Sequence, residues 1–246
     1  RPIRRRRQST MKNLFKEVFT YKESQCTLIC DKQQGLEAAK EGLKRHRALL
    51  EKYLAEHAKF GWSLKPVPVP QEPLVCRLMA QAAAKAQVGP MAAVAGVLAD
   101  LAVKDMVLAN CKVAVVEDGG EISAVSNVPI DVALAAGDEP LSRRFGFRLA
   151  EFPIGVATSS GRFSHALSFG DAEAATVFCK DAGLADAAAT AVGNIVKGED
   201  MNSAIEAGID AAKAIVGVEG ALILYKGCTG TWGRIPQIIK VDPRQP

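Results

Sequence analysis

The stretch KVAVVEDGGEISAV, residues 112–125, constrains the fold more than any other: two runs of apolar and β-branched residues flank Asp118-Gly119-Gly120-Glu121. Paired glycines accept the positive φ angles of tight turns between antiparallel strands, so the segment predicts a β-hairpin. Two further short strands are expected within residues 15–30, around the polar TYKESQ. Others are expected in DVALAAG, FRLAEFP, IGVAT and ATVFCK, with ALILYKG and QIIKV as terminal strands. Helical patterns come in separate blocks. Residues 35–57 place Leu36, Leu43, Leu50 and His57 seven apart, which predicts a long amphipathic helix with His46 and His57 at its surface or edge. Residues 184–198 and 201–217 form a second helical block, the latter with Met201, Ile205, Ile209 and Ala212 on one face. Strands and helices in blocks, without βαβ alternation, predict an α+β fold with a largely antiparallel sheet and packed helices.

Between the blocks, Pro66, Pro68, Pro70 and Pro73 force an extended connection. Residues 74–87 are helical in composition, and Val88-Gly89-Pro90 interrupts them before MAAVAGVLADLAVKDMVLA. Residues 91–99 carry no charge or hydroxyl, which predicts a buried helix. The small residues Ala92, Ala93, Ala95 and Gly96 let a second backbone or a flat ligand come close to it.

The totals narrow the function. In 246 residues the formal charge is +4, but five arginines within residues 1–7 account for the excess; the remainder has 26 basic against 27 acidic side chains. With 6% aromatics and no basic-aromatic stripe, nucleic-acid binding is not expected. No run approaches the roughly 20 apolar residues of a membrane span, and the arginines precede no secretory apolar core. Residues 1–12 are therefore expected to be a disordered basic tail, residues 13–246 one domain, and the protein cytoplasmic. The six cysteines are scattered, with only Cys26 and Cys30 close together; buried thiols on one strand face are expected, not a zinc site or disulfide framework.

Two places carry candidate chemistry. Asp186 stands in GLADAAATAVGN, a segment otherwise without charge, with Thr190 one helical turn later. A carboxylate withdrawn from water needs a partner, and carboxylate and hydroxyl oxygens one turn apart suit Mg²⁺. The competing reading is structural: Asp186 answers the dipole of its own helix, and Thr190 bonds back to a carbonyl. The other place is GVATSSGRFSHALSFG, residues 155–170, where Thr158, Ser159, Ser160, Gly161, Arg162, Ser164, His165 and Ser168 crowd together. Such a loop can offer several donors to phosphate oxygens, although a polar turn between strands has the same composition. Ser160, His165 and Asp186 are also the residue types of a hydrolase triad, but no Gly-x-Ser-x-Gly elbow is present.

Taken in order, VGPMAAVAG, VEDGGEI, GVATSSGRFSHALSFG and ADAAATAVGN resemble the motif series of the ApbE superfamily, flavin transferases that move FMN from FAD onto a protein threonine or serine. The likeness covers roughly residues 19–230 and is nearest to the uncharacterised cytoplasmic ApbE-like branch. It implies a duplicated, largely antiparallel sheet of the T-fold type with packed helices. It further implies that Asp186 and Thr190 hold Mg²⁺ with a backbone carbonyl of Ala92 or Ala93. Gly119, Gly120, Glu121, Thr158, Ser159, Ser160, Gly161 and Ser168 would line a site for FAD or a related nucleotide, with Arg162 and His165 as catalytic candidates. His165 is followed by ALSFG, where the transferases carry Ile-Asp-Pro and a Thr-Gly turn. Two functions follow: Mg²⁺-dependent FMN transfer or hydrolysis, or non-catalytic binding of a flavin, nucleotide or pterin-like ligand. The expected partner is a small-molecule nucleotide, and the apolar content is compatible with a homodimer.

Overall fold

A computed structural model describes residues 14–22, 24–133, 145–159 and 172–240. The basic tail at 1–12 and most of the polar loop, including Ser160, Gly161, Arg162, Ser164, His165 and Ser168, lie outside the described residues.

The first half of the chain runs β1 (Phe15–Tyr21), β2 (Ser24–Cys30), α1 (Gln33–Glu56), α2 (Ala58–Trp62), α3 (Leu74–Ala86), α4 (Val94–Leu108), β3 (Val113–Asp118) and β4 (Glu121–Ser126). After β5 (Ile130–Ala133) and β6 (Phe145–Leu149), the second half runs β7 (Ile154–Ser159), β8 (Ala174–Cys179), α5 (Ala182–Ile195), α6 (Met201–Ala214), β9 (Val218–Tyr225) and β10 (Cys228–Gly233). A final strand, β11 (Gln237–Lys240), follows. Each half is thus hairpin, helices, hairpin. The two halves join into one eight-stranded sheet in the order β1-β2-β3-β4-β7-β8-β9-β10, antiparallel at every step, with β4 against β7 at the seam. This is the duplicated α+β architecture expected from the sequence.

Strand alternation sends successive side chains to opposite faces of that sheet. One face carries Leu28, Cys30, Ala114, Val116, Ala157 and Val177 into a core under the helices. The other carries Val115, Ile122, Val156 and Phe178 into a smaller core covered by β11, β6 and β5, where Phe147 meets Phe178 edge to face at 5.1 Å. Cys26, Leu28 and Cys30 share the helix side of β2 and all are buried, as the alternation predicted. The 119–120 turn has φ values of 67° and 110°, so both glycines occupy the positive-φ region a two-residue hairpin demands.

Three local expectations change. His46 is buried, not at a helix surface, because it continues the stripe of Leu36, Ala39, Leu43 and Leu50 on α1. The helix expected from Met91 is divided: Pro90–Ala93 make a 3-10 turn, Ala93 takes φ −122° and ψ 8°, and α4 starts afresh at Val94. That division exposes a new set of helix N-terminal amides, which require acceptors. Finally, CTGTWG forms the edge strand β10, reached from β9 through Lys226 and Gly227 at positive φ. Its thread of glycine and threonine lacks the apolar run by which its neighbours were found.

Candidate functional site

Helices α4 and α5 cross on the covered face of the sheet, and each caps the other. The Gly96 amide donates to Asp186 Oδ2 at 3.0 Å, with the Ala95 amide also facing that carboxylate. In return, the Ala182 amide donates to Asp100 Oδ1 and the Gly183 amide to Asp100 Oδ2, both at 2.9 Å. Ser123 on β4 donates its hydroxyl to Asp100 Oδ1 at 2.6 Å. Carboxylates at helix N-termini answer both the unpaired amides and the dipole. The crossing is tight enough to require glycine: a Cβ on Gly96 would stand 2.1 Å from the Ala182 carbonyl oxygen. Asp186 therefore does not serve its own helix, whose first turn is capped by Asp181 through the Leu184 amide at 2.8 Å.

A group of acids surrounds this crossing. Strand alternation puts Asp118 and Glu121, on either side of the hairpin turn, on the face that carries Ser123 toward α4. Asp118 is 4% exposed, and Asp186 and Glu121 are partly buried. Burial pushes the Asp186 carboxyl up to about 7, against the Gly96 amide and with added repulsion from Asp118 and Asp100. Burial also raises Glu121 well above the usual carboxylate range, reinforced by the charges of Asp186 and Asp118. Asp100 rises to about 6 for the same first reason, although Ser123 and two amides oppose the shift. Asp186 and Glu121 thus come from different halves of the chain to one desolvated place, each making ionisation of the other costlier.

One and two turns beyond Asp186, Thr190 and Asn194 line a crevice of about 290 Å³ whose remaining wall includes Met91, Ala92 and Trp62. Trp62 is 67% exposed. Gly89 permits this wall, since a Cβ there would fall 1.8 Å from the Ser63 carbonyl oxygen. Ala92 and Thr190, paired in the sequence reading, therefore share one crevice, while Ala93 is fully buried behind it.

Strand β7 divides its two site candidates. Ser159 lies on the helix face, where a Cβ on Gly193 of α5 would meet its Oγ at 3.1 Å. Thr158 falls on the opposite face, its hydroxyl 2.9 Å from that of Thr176 on β8. Gly119 and Gly120 hold the turn beside Glu121, and the Gly120 amide donates to Glu117 Oε1 at 3.1 Å. Among the described residues, no group of three or more His, Cys, Asp or Glu side chains is gathered as if to hold a metal.

Asp100 and Trp62 were not singled out from the sequence. Asp100 had a signal: Leu98-Ala99-Asp100 and Leu184-Ala185-Asp186 repeat the same tripeptide in the two halves, and the amides each aspartate engages, Ala182 and Gly96, occupy matching positions in the repeat.

Solved ApbE proteins share this fold. The apo flavinyl transferase ApbE of Pseudomonas stutzeri aligns with a TM-score of 0.57 at 15% identity, covering 91% of this chain and 96% of that one. The ApbE protein of Thermotoga maritima aligns with the same score at 13% identity, over 94% and 97%. More narrowly, a family model described as "AbpE bacteria" matches residues 11–218, and the chain belongs to that family. Among its relatives, a UPF0280 protein of Methanosarcina barkeri is 40% identical over 93% of this chain and 90% of its own length. Another, from Methanocaldococcus jannaschii, is 36% identical over 94% and 95%. No helix among the described residues is long and apolar enough to cross a membrane.

Proposed function

We propose that the protein is a Mg²⁺-dependent, ApbE-like enzyme acting on the pyrophosphate of a flavin nucleotide, FAD or a relative, by FMN transfer or hydrolysis. The observation that carries this reading is the meeting of Asp186 and Glu121 in a desolvated place beside the Thr190 crevice. Two partly buried carboxylates that repel each other are relieved by a hard cation. Magnesium commonly takes only one or two protein carboxylates, with water and substrate phosphates as its other ligands. Asp186, Thr190 and a backbone carbonyl of Ala92 or Ala93 are the proposed protein donors. When bound, the ion would neutralise charge on the phosphoryl oxygens.

The chain's own residues account for the remaining requirements. Trp62 gives the crevice a flat apolar wall for a ring system, and the small side chain of Ala92 on the same wall leaves room for it. The Gly119-Gly120 turn presents backbone without side chains beside Glu121. Ser159 supplies a hydroxyl on the α5 side. Arg162 would steady developing phosphoryl charge, and His165 would protonate the leaving oxygen.

A second reading has its own support. The Asp186 carboxylate already serves as a cap for α4, and ALSFG replaces the transferase continuation after His165. On that reading the fold holds a flavin, nucleotide or pterin-like ligand without turning it over. Incubation with FAD and Mg²⁺, followed by mass spectrometry, separates the two. FMN or AMP appearing with the unaltered chain and not with Asp186→Asn supports the enzyme. Thermal stabilisation by intact FAD without products supports the binding module. Neither conversion nor stabilisation removes both.

A further inference from the structure

The repeat that pairs Asp100 with Asp186 extends along both helices. In its register Lys104 corresponds to Thr190 and Leu108 to Asn194. Thr190 and Asn194 line the 290 Å³ crevice; Lys104 and Leu108 line a separate cavity of about 610 Å³. The molecule therefore carries two cavities, each lined by the residues four and eight positions after one of the paired aspartates. Where one offers a hydroxyl four residues after its aspartate, the other offers an ammonium.

The larger cavity has the composition of a site for an amphipathic anion. Its apolar surface includes Leu78, Val97, Val103, Val125 and Leu184, and Leu108 stands 70% exposed at its lip. Lys85 of α3, Lys104 of α4 and Lys180 before α5 also line it, all exposed. None of the three lysines forms an ion pair or hydrogen bond among the described residues, whereas Lys22, Lys40 and Lys213 elsewhere all have carboxylate partners. The two lining carboxylates are already engaged: Asp100 accepts from Ser123, Ala182 and Gly183, and Asp181 from Leu184. Three uncommitted cations from three elements thus face one apolar hollow, whose volume lies in the range of small-molecule sites, about 300–1,000 Å³.

We propose that this cavity is a second ligand site, distinct from the Thr190 crevice, that binds a small organic phosphate: its apolar body against Val97 and Leu184, its phosphate against Lys85, Lys104 and Lys180. Lysine takes over in this half the charge-neutralising task that the other half's donor set would give to a divalent ion. Binding here needs no metal.

Calorimetric titration with 1-naphthyl phosphate in EDTA tests the assignment, with 1-naphthol as the uncharged control. The expected result is saturable 1:1 binding that falls about tenfold in Lys104→Glu and in Lys180→Glu, equivalent to about 1.4 kcal/mol. Lys104→Arg should keep the affinity, Thr190→Val, in the other crevice, should leave it unchanged, and 1-naphthol should bind far more weakly. No saturable binding, equal affinity in the charge-reversed variants, or equal binding of 1-naphthol would overturn the proposal. Loss of binding in Thr190→Val would also overturn it, by placing the probe in the other crevice. Because these titrations exclude divalent ions and need no turnover, their outcome is independent of the flavin reading.

Discussion

Asp186 has two tasks that pull its proton in opposite directions. As a cap it faces the amides of Ala95 and Gly96, which favour the charged form; as a neighbour of Glu121 it stands in a place where charge is expensive. Its folded pKa of about 7 lies above the ordinary 3.8, so the folded chain holds more protons than the unfolded one between those values. The resulting stability is fully present below about pH 4 and is lost as pH rises through 7; Asp100 contributes the same way up to about 6. Asp186→Asn should therefore raise the metal-free melting temperature at pH 8 by about 2–4 °C, and by much less at pH 5, as differential scanning calorimetry will read. A variant less stable than the original at pH 8 would show that capping outweighs repulsion. His46 acts in the other direction. Burial, aided by Arg45, lowers its pKa below 6.5, so its contribution is present above that value and lost as pH falls. With Nδ1 lacking a partner among the described residues, His46→Leu should flatten the acid limb of the stability profile.

At the scale of elements, the α4–α5 crossing is the hinge on which the site's geometry depends. Gly96→Ala must displace the Ala182 carbonyl, and a cost of about 1–3 kcal/mol in urea unfolding is expected. Asp100→Ala strands Ser123 and two amides, with a cost of similar size, about 1–3 kcal/mol. If either change proves neutral, the mutual capping is not what holds these helices together. The sequence displayed the hairpin, the long helix and the strand blocks, because each follows from local periodicity. It did not display the crossing, since a carboxylate serving amides 82–90 positions away is a tertiary relation. In isolation Asp186 reads as belonging to its own first turn. The repeated Leu-Ala-Asp was visible but acquires meaning only once the halves are known to pack against each other. Trp62 was equally silent, because an exposed aromatic at a helix end gains a role only from the crevice it lines.

Across the whole molecule, duplication explains why acids from both halves meet: the sheet joins the halves at β4 and β7, and the helices cross above that seam. One continuous sheet should unfold as one unit. The chain has two tryptophans, Trp62 in the first half and Trp232 on β10, so Trp62→Phe and Trp232→Phe leave a reporter in each half. Their fluorescence transitions in urea should coincide; separated midpoints would mean that the halves are independent. On the proposed function, Asp186 and Thr190 would hold a divalent ion facing a flavin pyrophosphate. The most direct test is electron paramagnetic resonance of Mn²⁺, standing in for Mg²⁺, titrated with the protein in the presence and absence of FAD. The account predicts one bound ion whose affinity rises with FAD and collapses in both Asp186→Asn and Thr190→Val. Mn²⁺ bound equally well by the original chain and both variants, or indifferent to FAD, would contradict it.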